Sequence, residues 1–350
     1  NTDPKQPANV HNNNMATLAS GILRQTQDEM PFVQALARFL HPPSTTTPLH
    51  KPAKTDENET HQTDEQTQKT TLVPSKYEDD VAKLDDKQEH DALADKLAAP
   101  LAQRFDEPNE PDDHLESAYA VYFNLLTSWN LFEQRALPLA EQLASSPRER
   151  VALRRRLLLS LFSLAVQQGL AKLRFALLAT LLRYCADTKT LASLLGAAAP
   201  QTALLERYVA EWGLGAPEER ELWGILFDAY AADATAVYDV ACRYLGLFKA
   251  AELAADAVLR ARLVRTVAVL LPSPQVFGYE KLQRLDVVAA LSADEELGPL
   301  SELLGVFSRG LYADYVVVVA KPTVTALLAK HAIDGEQCAY KLRLLTLASL

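Results

Sequence analysis

The chain has 350 residues, enough for one large domain or two ordinary ones. Hydrophobic residues make up 48% and charged residues 23%, so a real core can be buried, and with only 12 Gly against abundant Leu and Ala the balance favours helix over strand. The net charge is −10, and the most apolar stretch, residues 157–166, is closed by Gln167 and Gln168. That falls short of the roughly 18 apolar residues a membrane span requires, so no transmembrane helix is expected.

The N-terminus, "NTDPKQPANVHNNN", is polar and lacks the basic and apolar regions of a secretory signal. Met15 stands as a candidate natural start, with residues 1–14 as a disordered extension. Residues 15–40, "MATLASGILRQTQDEMPFVQALARFL", read as two short helices, with Asp28 as a cap and Pro31 in the first turn of the second. Residues 41–77 are rich in Thr, Gln and Pro and nearly free of large apolar side chains. Such a segment cannot offset its ordering entropy and is expected to be a disordered linker. From Asp56 to Asp113, eighteen acids stand against six Lys or Arg, a net of −12, which leaves the remainder of the chain close to neutral. The negative charge is therefore expected in a linker rather than in the folded body. It would act as a solvated tether or as an acidic arm for a basic partner. Within residues 78–113, Val81, Leu84, Leu93 and Leu97 recur at near-helical spacing, predicting an acidic helix stopped near Pro100.

From residue 114 to residue 350, amphipathic helical segments follow one another across short turns holding Gly or Pro: Ser146-Pro147, Gly169, Gly196 to Pro200, Gly213 to Pro217, and Gly246. Helix, tight turn and antiparallel helix, repeated about every 35 to 45 residues, is the signature of an all-α, tetratricopeptide-like α-solenoid. The stretch "YVAEWGLGAPEERELW" tests that reading against a phosphate loop. Gly213 follows a helix end, Pro217 opens the next helix, and Glu218, Glu219 and Glu221 complement its dipole. A dinucleotide loop needs a preceding strand and a third glycine where Glu218 stands, so this is a turn. "YVVVVA", residues 315–320, has strand propensity but lies between helical segments and is expected to be helical.

Chemistry-bearing constellations are sparse. Cys185, Cys242 and Cys338 lie far apart in helical apolar context and read as buried, reduced thiols of a cytosolic protein. Six of seven histidines lie at or before His114, leaving His331 alone in the helical body, so no metal site is expected. No nucleophile elbow, zinc-protease motif or P-loop occurs, and neither an enzyme nor a cofactor is expected. Trp129, Trp212 and Trp223 read as packing residues. One basic cluster remains, "RERVALRRR", with Arg148, Arg150, Arg154, Arg155 and Arg156. On a helix the last three fan over about 200° of circumference. The plain reading is a solvated face paired with Glu149. The sharper one is contact with ribosomal RNA phosphates or an acidic subunit.

The stretches "LLERYVAEWGLGAPEERELWGILFDAYA", "LLPSPQVFGYEKLQRLDVVAAL" and "LGVFSRGLYADYVVVVAKPTVTALLAKHAIDGEQCAYKLRLLTLASL" resemble the subunit M family of eukaryotic translation initiation factor three, which carries a PCI domain. The resemblance covers residues 148–350, more weakly residues 15–40 and 114–146. Its markers are the Trp212-Gly213 turn, Pro274 to Phe277 and the terminal "YKLRLLTLASL". The long acidic segment after His41 departs from the family pattern. The resemblance implies a right-handed helical solenoid, residues 114–350, forming the helical half of a PCI domain, with a winged helix beyond residue 350. It implies a non-catalytic cytoplasmic scaffold with PCI- and MPN-type subunits and the small ribosomal subunit as partners, any ribosomal RNA contact being peripheral, and with no membrane and no small-molecule substrate. Subunit seven of the signalosome is similar and stands as the alternative. A free tetratricopeptide adaptor is the rival from another class, and would show a groove of Asn, Lys and Arg clamps where this sequence suggests Leu and Ala.

Overall fold

In the computed structural model, described for residues 32–41, 76–87, 89–145, 149–195, 202–309 and 311–348, every regular element is helical. The expected extension, the first of the two N-terminal helices and most of the expected linker lie outside the described residues. The described helices gather into two compact units.

The first unit holds α1 (Phe32–Leu40), α2 (Lys76–Asp86), α3 (His90–Asp106), α4 (Asp112–Ser128), α5 (Phe132–Ala144) as far as Leu139, and α6 (Val151–Gln167) from Ala152 to Leu164. Helix α1 buries Val33, Leu36, Ala37 and Leu40, the 3–4 spacing of a single apolar face, and packs on α2, α3 and α4. Its last carbonyl is not left bare. The Arg104 guanidinium on α3 donates to Leu40 O through Nε and Nη2, both at 3.3 Å.

Two expectations fail here. The acidic stretch does not stay in a linker, because α2 and α3 belong to the packed unit and bury Val81, Leu93, Ala94, Leu97, Leu101 and Phe105. Nor does Pro100 stop a helix, since α3 runs through it to Asp106. A proline in a helix interior removes the N–H that would reach the carbonyl four residues back, here that of Lys96. The Tyr77 hydroxyl from α2 donates to Lys96 O at 2.9 Å and replaces the lost partner. The single helix expected across this stretch is instead α2 and α3, divided at residues 87–89.

The second unit holds the remainder of α5 and α6, then α7 (Ala171–Asp187), α8 (Leu191–Leu195), α9 (Thr202–Trp212), α10 (Ala216–Tyr230), α11 (Ala234–Leu245), α12 (Glu252–Ala255), α13 (Ala257–Leu270), α14 (Glu280–Gln283), α15 (Asp286–Ala289) with a 3-10 turn at Ala290–Ala293, α16 (Gly298–Arg309), α17 (Tyr312–Val319), α18 (Pro322–Lys330) and α19 (Gly335–Ala348). Helices pack on their neighbours, mostly as antiparallel pairs: α10 on α7 and α11, α13 on α11 and α16, and α17 on α16, α19 and α18, the last of these at 90°. Within each unit this is the helix-pair packing expected of an α-solenoid, and no strand occurs among the described residues. The valine run is helical, as expected, within α17.

Both ends of these helices follow local rules. Five end on a left-handed residue: Asn130, Gly169, Lys189, Gly213 and Ala332, with φ between 52° and 71°. After each, the next N–H turns back five residues, Leu131 to Leu126 O, Leu170 to Ala165 O, Thr190 to Cys185 O, Leu214 to Val209 O and Ile333 to Leu328 O, at 2.8–3.2 Å. This is the Schellman closure, and it places the Gly213 turn where the sequence predicts it. Helix starts use aspartate. Asp233 accepts from Thr235 and Ala236, Asp256 from Val258 and Leu259, Asp294 from Glu296 and Leu297, and Asp334 from Glu336 and Gln337, all backbone N–H groups at 2.9–3.1 Å.

Ion pairs repeat with the period of the helix pairs. Asp95–Arg135 and Glu116–Arg156 span 40 residues, Arg183–Glu221 spans 38, and Asp228–Arg262, Arg260–Asp294 and Glu296–Lys330 each span 34. Exposed pairs of this kind add little stability. What they share is register, joining one helix pair to the next, with Asp294 and Glu296 doing so from the turn before α16.

Candidate assembly and RNA-contact surfaces

The structure sorts the arginine cluster one residue at a time. Arg148 lies outside the described residues. Arg150 precedes α6 in a left-handed conformation, φ 46°, and is half-buried. Arg154 is 4% exposed, with its guanidinium 4.5 Å from the centre of the Phe105 ring. It belongs to the interior of the first unit, where a planar cation lies over an aromatic ring. Arg155 is half-buried. Arg156 donates from Nε to Glu116 Oε2 of α4 at 2.8 Å. Of the three that a helical wheel fans outward, one is a core residue and another holds a carboxylate of its own chain. Neither fact is legible in "RERVALRRR", because Phe105 and Glu116 are remote in sequence.

The tryptophans pack. Trp223 is buried. Trp129 stacks on His90, rings 5.2 Å apart, and Trp212 stacks on Tyr208 with the Arg174 guanidinium 4.7 Å from the Trp212 ring centre. His90 and His114 sit in helices of the first unit, α3 and α4. His331 closes α18, and burial lowers its pKa, so it is neutral near pH 7. Among the described residues no group of three or more His, Cys, Asp or Glu is placed to hold a metal ion. The cysteines are free thiols. Burial pushes Cys242 up to about 11 and Cys338 up to about 12, which keeps both protonated and poorly nucleophilic.

Two grooves indent the second unit. One is lined by Arg183, Arg220, Glu221, Asp228 and Arg262, over Gly224 and Ile225. The other runs between Arg260, Arg265, Glu296 and His331, over Ala261 and Val264. Both are walled mainly by charged side chains over small apolar ones. Most of their arginines are engaged: Arg183 with Glu221, Arg262 with Asp228 and the Tyr244 hydroxyl, Arg220 with Glu252 and Leu247 O, Arg260 with Asp294. A clamp for a peptide carboxylate would need such cations available, and here they stitch helices.

Among the described residues, half of the large apolar side chains left exposed lie on α17 and α19, which pack on each other. Tyr312 N donates to Thr346 Oγ1 at 2.9 Å, and Tyr315 OH to Gly335 O at 2.9 Å. With α19 pinned there, Cys338, Lys341 and Leu342 face inward. Tyr340, Leu344 and Leu347 face out at i, i+4 and i+7, Leu347 being 68% exposed. Val316 and Val317 of α17 are also exposed. A stripe at that spacing is what a helix presents to a partner helix. No single described helix is long and apolar enough to cross a membrane. The bent pair α17–α18, turned by 90°, meets the test only by length and composition.

No protein-family model matches the chain. A curated relative, eukaryotic translation initiation factor 3 subunit M of Aspergillus clavatus, is 26% identical over 290 residues, covering 80% of this chain and 59% of the relative. The chain therefore spans about three fifths of the length of that relative. This is a distant, partial similarity to a translation-factor subunit, and it runs through most of the helical fold described above.

Proposed function

We propose that this chain is a non-catalytic scaffold subunit of the eukaryotic translation initiation factor three complex. It would be cytoplasmic, with its helical region at residues 114–350 serving as the PCI portion. It supports assembly of the small-subunit preinitiation complex and recruitment of mRNA by holding other PCI- and MPN-type subunits through helix packing. The observation that carries this reading is the outward apolar stripe of α19, Tyr340, Leu344 and Leu347, on a fold distantly similar to that subunit. Contacts of this kind bury apolar area and depend weakly on salt.

Affinity purification of the tagged chain followed by sedimentation tests the assignment. The expected result is co-purification with other initiation subunits, stable to moderate salt, and co-sedimentation with the small ribosomal subunit. Recovery with a deneddylating complex would assign the chain to the signalosome instead, and recovery with neither would reject both. RNA contact by the arginine cluster is a separate question. If Arg155 and Arg156 reach phosphates, replacing both by Ala leaves the subunits assembled and weakens ribosome association, most visibly as salt rises.

A further inference from the structure

Lys341 sits on the inward face of α19 and is 1% exposed. Its Nζ donates to Leu270 O, in the last turn of α13, at 3.0 Å and to Tyr279 Oη at 2.5 Å. Tyr279 in turn donates to Leu270 O at 3.0 Å. Three rings surround the ammonium at 5.1–5.7 Å from their centres: Phe277 and Tyr279 from the segment after α13, and Phe307 from α16. The site is thus an aromatic box closed from 71 residues away, and its occupant completes the C-terminal end of α13.

The charge has no carboxylate in this box. Its titratable neighbours are Cys338 one turn back on α19 and Tyr279. Tyr315 of α17 and Asp334 at the start of α19 act on Cys338 rather than on the amine. A buried ammonium with a carbonyl, a phenol and ring faces but no anion keeps part of its desolvation cost. That cost vanishes when α19 lifts and Lys341 meets water.

We propose that α19 is a proton-linked latch on the second unit, lifting more readily while Lys341 is charged and seating more firmly once the amine is neutral. Lifting empties the aromatic box and displaces Tyr340, Leu344 and Leu347, so the latch governs how the outward stripe is presented. Burial lowers the Lys341 pKa from its ordinary 10.5 to about 8. The lifted state therefore binds the proton more tightly, and raising pH through the interval from 8 to 10.5 favours the seated state. Cys338 works in the opposite sense, because its thiol is held up at about 12 when seated and ionises near 9 when exposed. Between pH 7 and pH 9 the two together predict a net rise in protection of about fivefold.

Hydrogen exchange of the full chain, corrected for intrinsic rates and followed by mass spectrometry from pH 7 to pH 9, tests this. The expected result is that α19 amides gain protection about fivefold while α10 amides hold steady. Lys341→Met should start more protected at pH 7 and lose the rise. A wild-type series that is flat or falling in α19 overturns the proposal, whether or not the variant folds. A rise that persists in Lys341→Met assigns the linkage to another group and overturns it equally.

Discussion

Arg154 shows how far a single side chain can depart from its neighbours. Charged residues are rarely buried without a partner. This one enters the first unit with its flat guanidinium held over the Phe105 ring. Arg154→Ala is expected to cost about 1–3 kcal/mol in chemical denaturation, through lost ring contact and a cavity. Arg155→Ala should stay within about 0.5 kcal/mol. Equal midpoints for the two variants would contradict the burial of Arg154. The sequence exposes the cluster's charge but not its division of labour. A helical wheel gives direction around an axis, and only the packed neighbours decide which direction is inside. Tyr77 makes the same point, since nothing near Pro100 announces the hydroxyl that repairs its helix.

At the scale of the element, helix boundaries were more legible than helix contents. Gly213 and Gly169 mark left-handed ends openly, whereas Asn130, Lys189 and Ala332 occupy the same conformation without the residue that suits it. Ala332 has a Cβ where glycine has none. Ala332→Gly should raise stability by up to about 1 kcal/mol, while Gly213→Ala, with nothing within 4 Å of the new methyl, should lose about that much through φ alone. Thermal melts of the two variants should therefore move in opposite directions. The aspartate starts carry a local signal: Ala-Asp-Ala at 232–234 and again at 255–257 stands just before an apolar run. Asp256→Ala should cost about 1 kcal/mol and Asp256→Asn only a few tenths, since Asn still accepts from the same two amides. Equal losses for both would mean that charge, not capping, matters there. Pro100 misled for a physical reason: propensity counts the lost hydrogen bond but cannot foresee a tertiary replacement.

For the whole molecule, the helical class and its repeat were legible because they rest on periodicity, and periodicity survives ignorance of tertiary contacts. The outward stripe of α19 was not, because Leu344 and Leu347 look like core residues in sequence. Exposure separates them from Leu342. Leu344→Ser with Leu347→Ser should leave the melting temperature within a degree or two yet strip partner subunits from the purified complex. A large fall in melting temperature would instead return both leucines to the core. A melt and a pull-down on the same preparation distinguish the outcomes.

The ion pairs that span 34 to 40 residues carry a further consequence for change of chain length. They work as a tape measure laid from one helix pair to the next. One residue inserted within a helix turns everything beyond it by about 100° and advances it by about 1.5 Å. Asp228 would then swing away from Arg262 in the same step that carries Leu226 and Phe227 out of the core, so the error would be felt twice. An insertion beside Asn130 or Lys189 is absorbed by the turn and reaches no rung. Length variation among relatives of this fold should therefore accumulate at the left-handed corners and spare the helices between them.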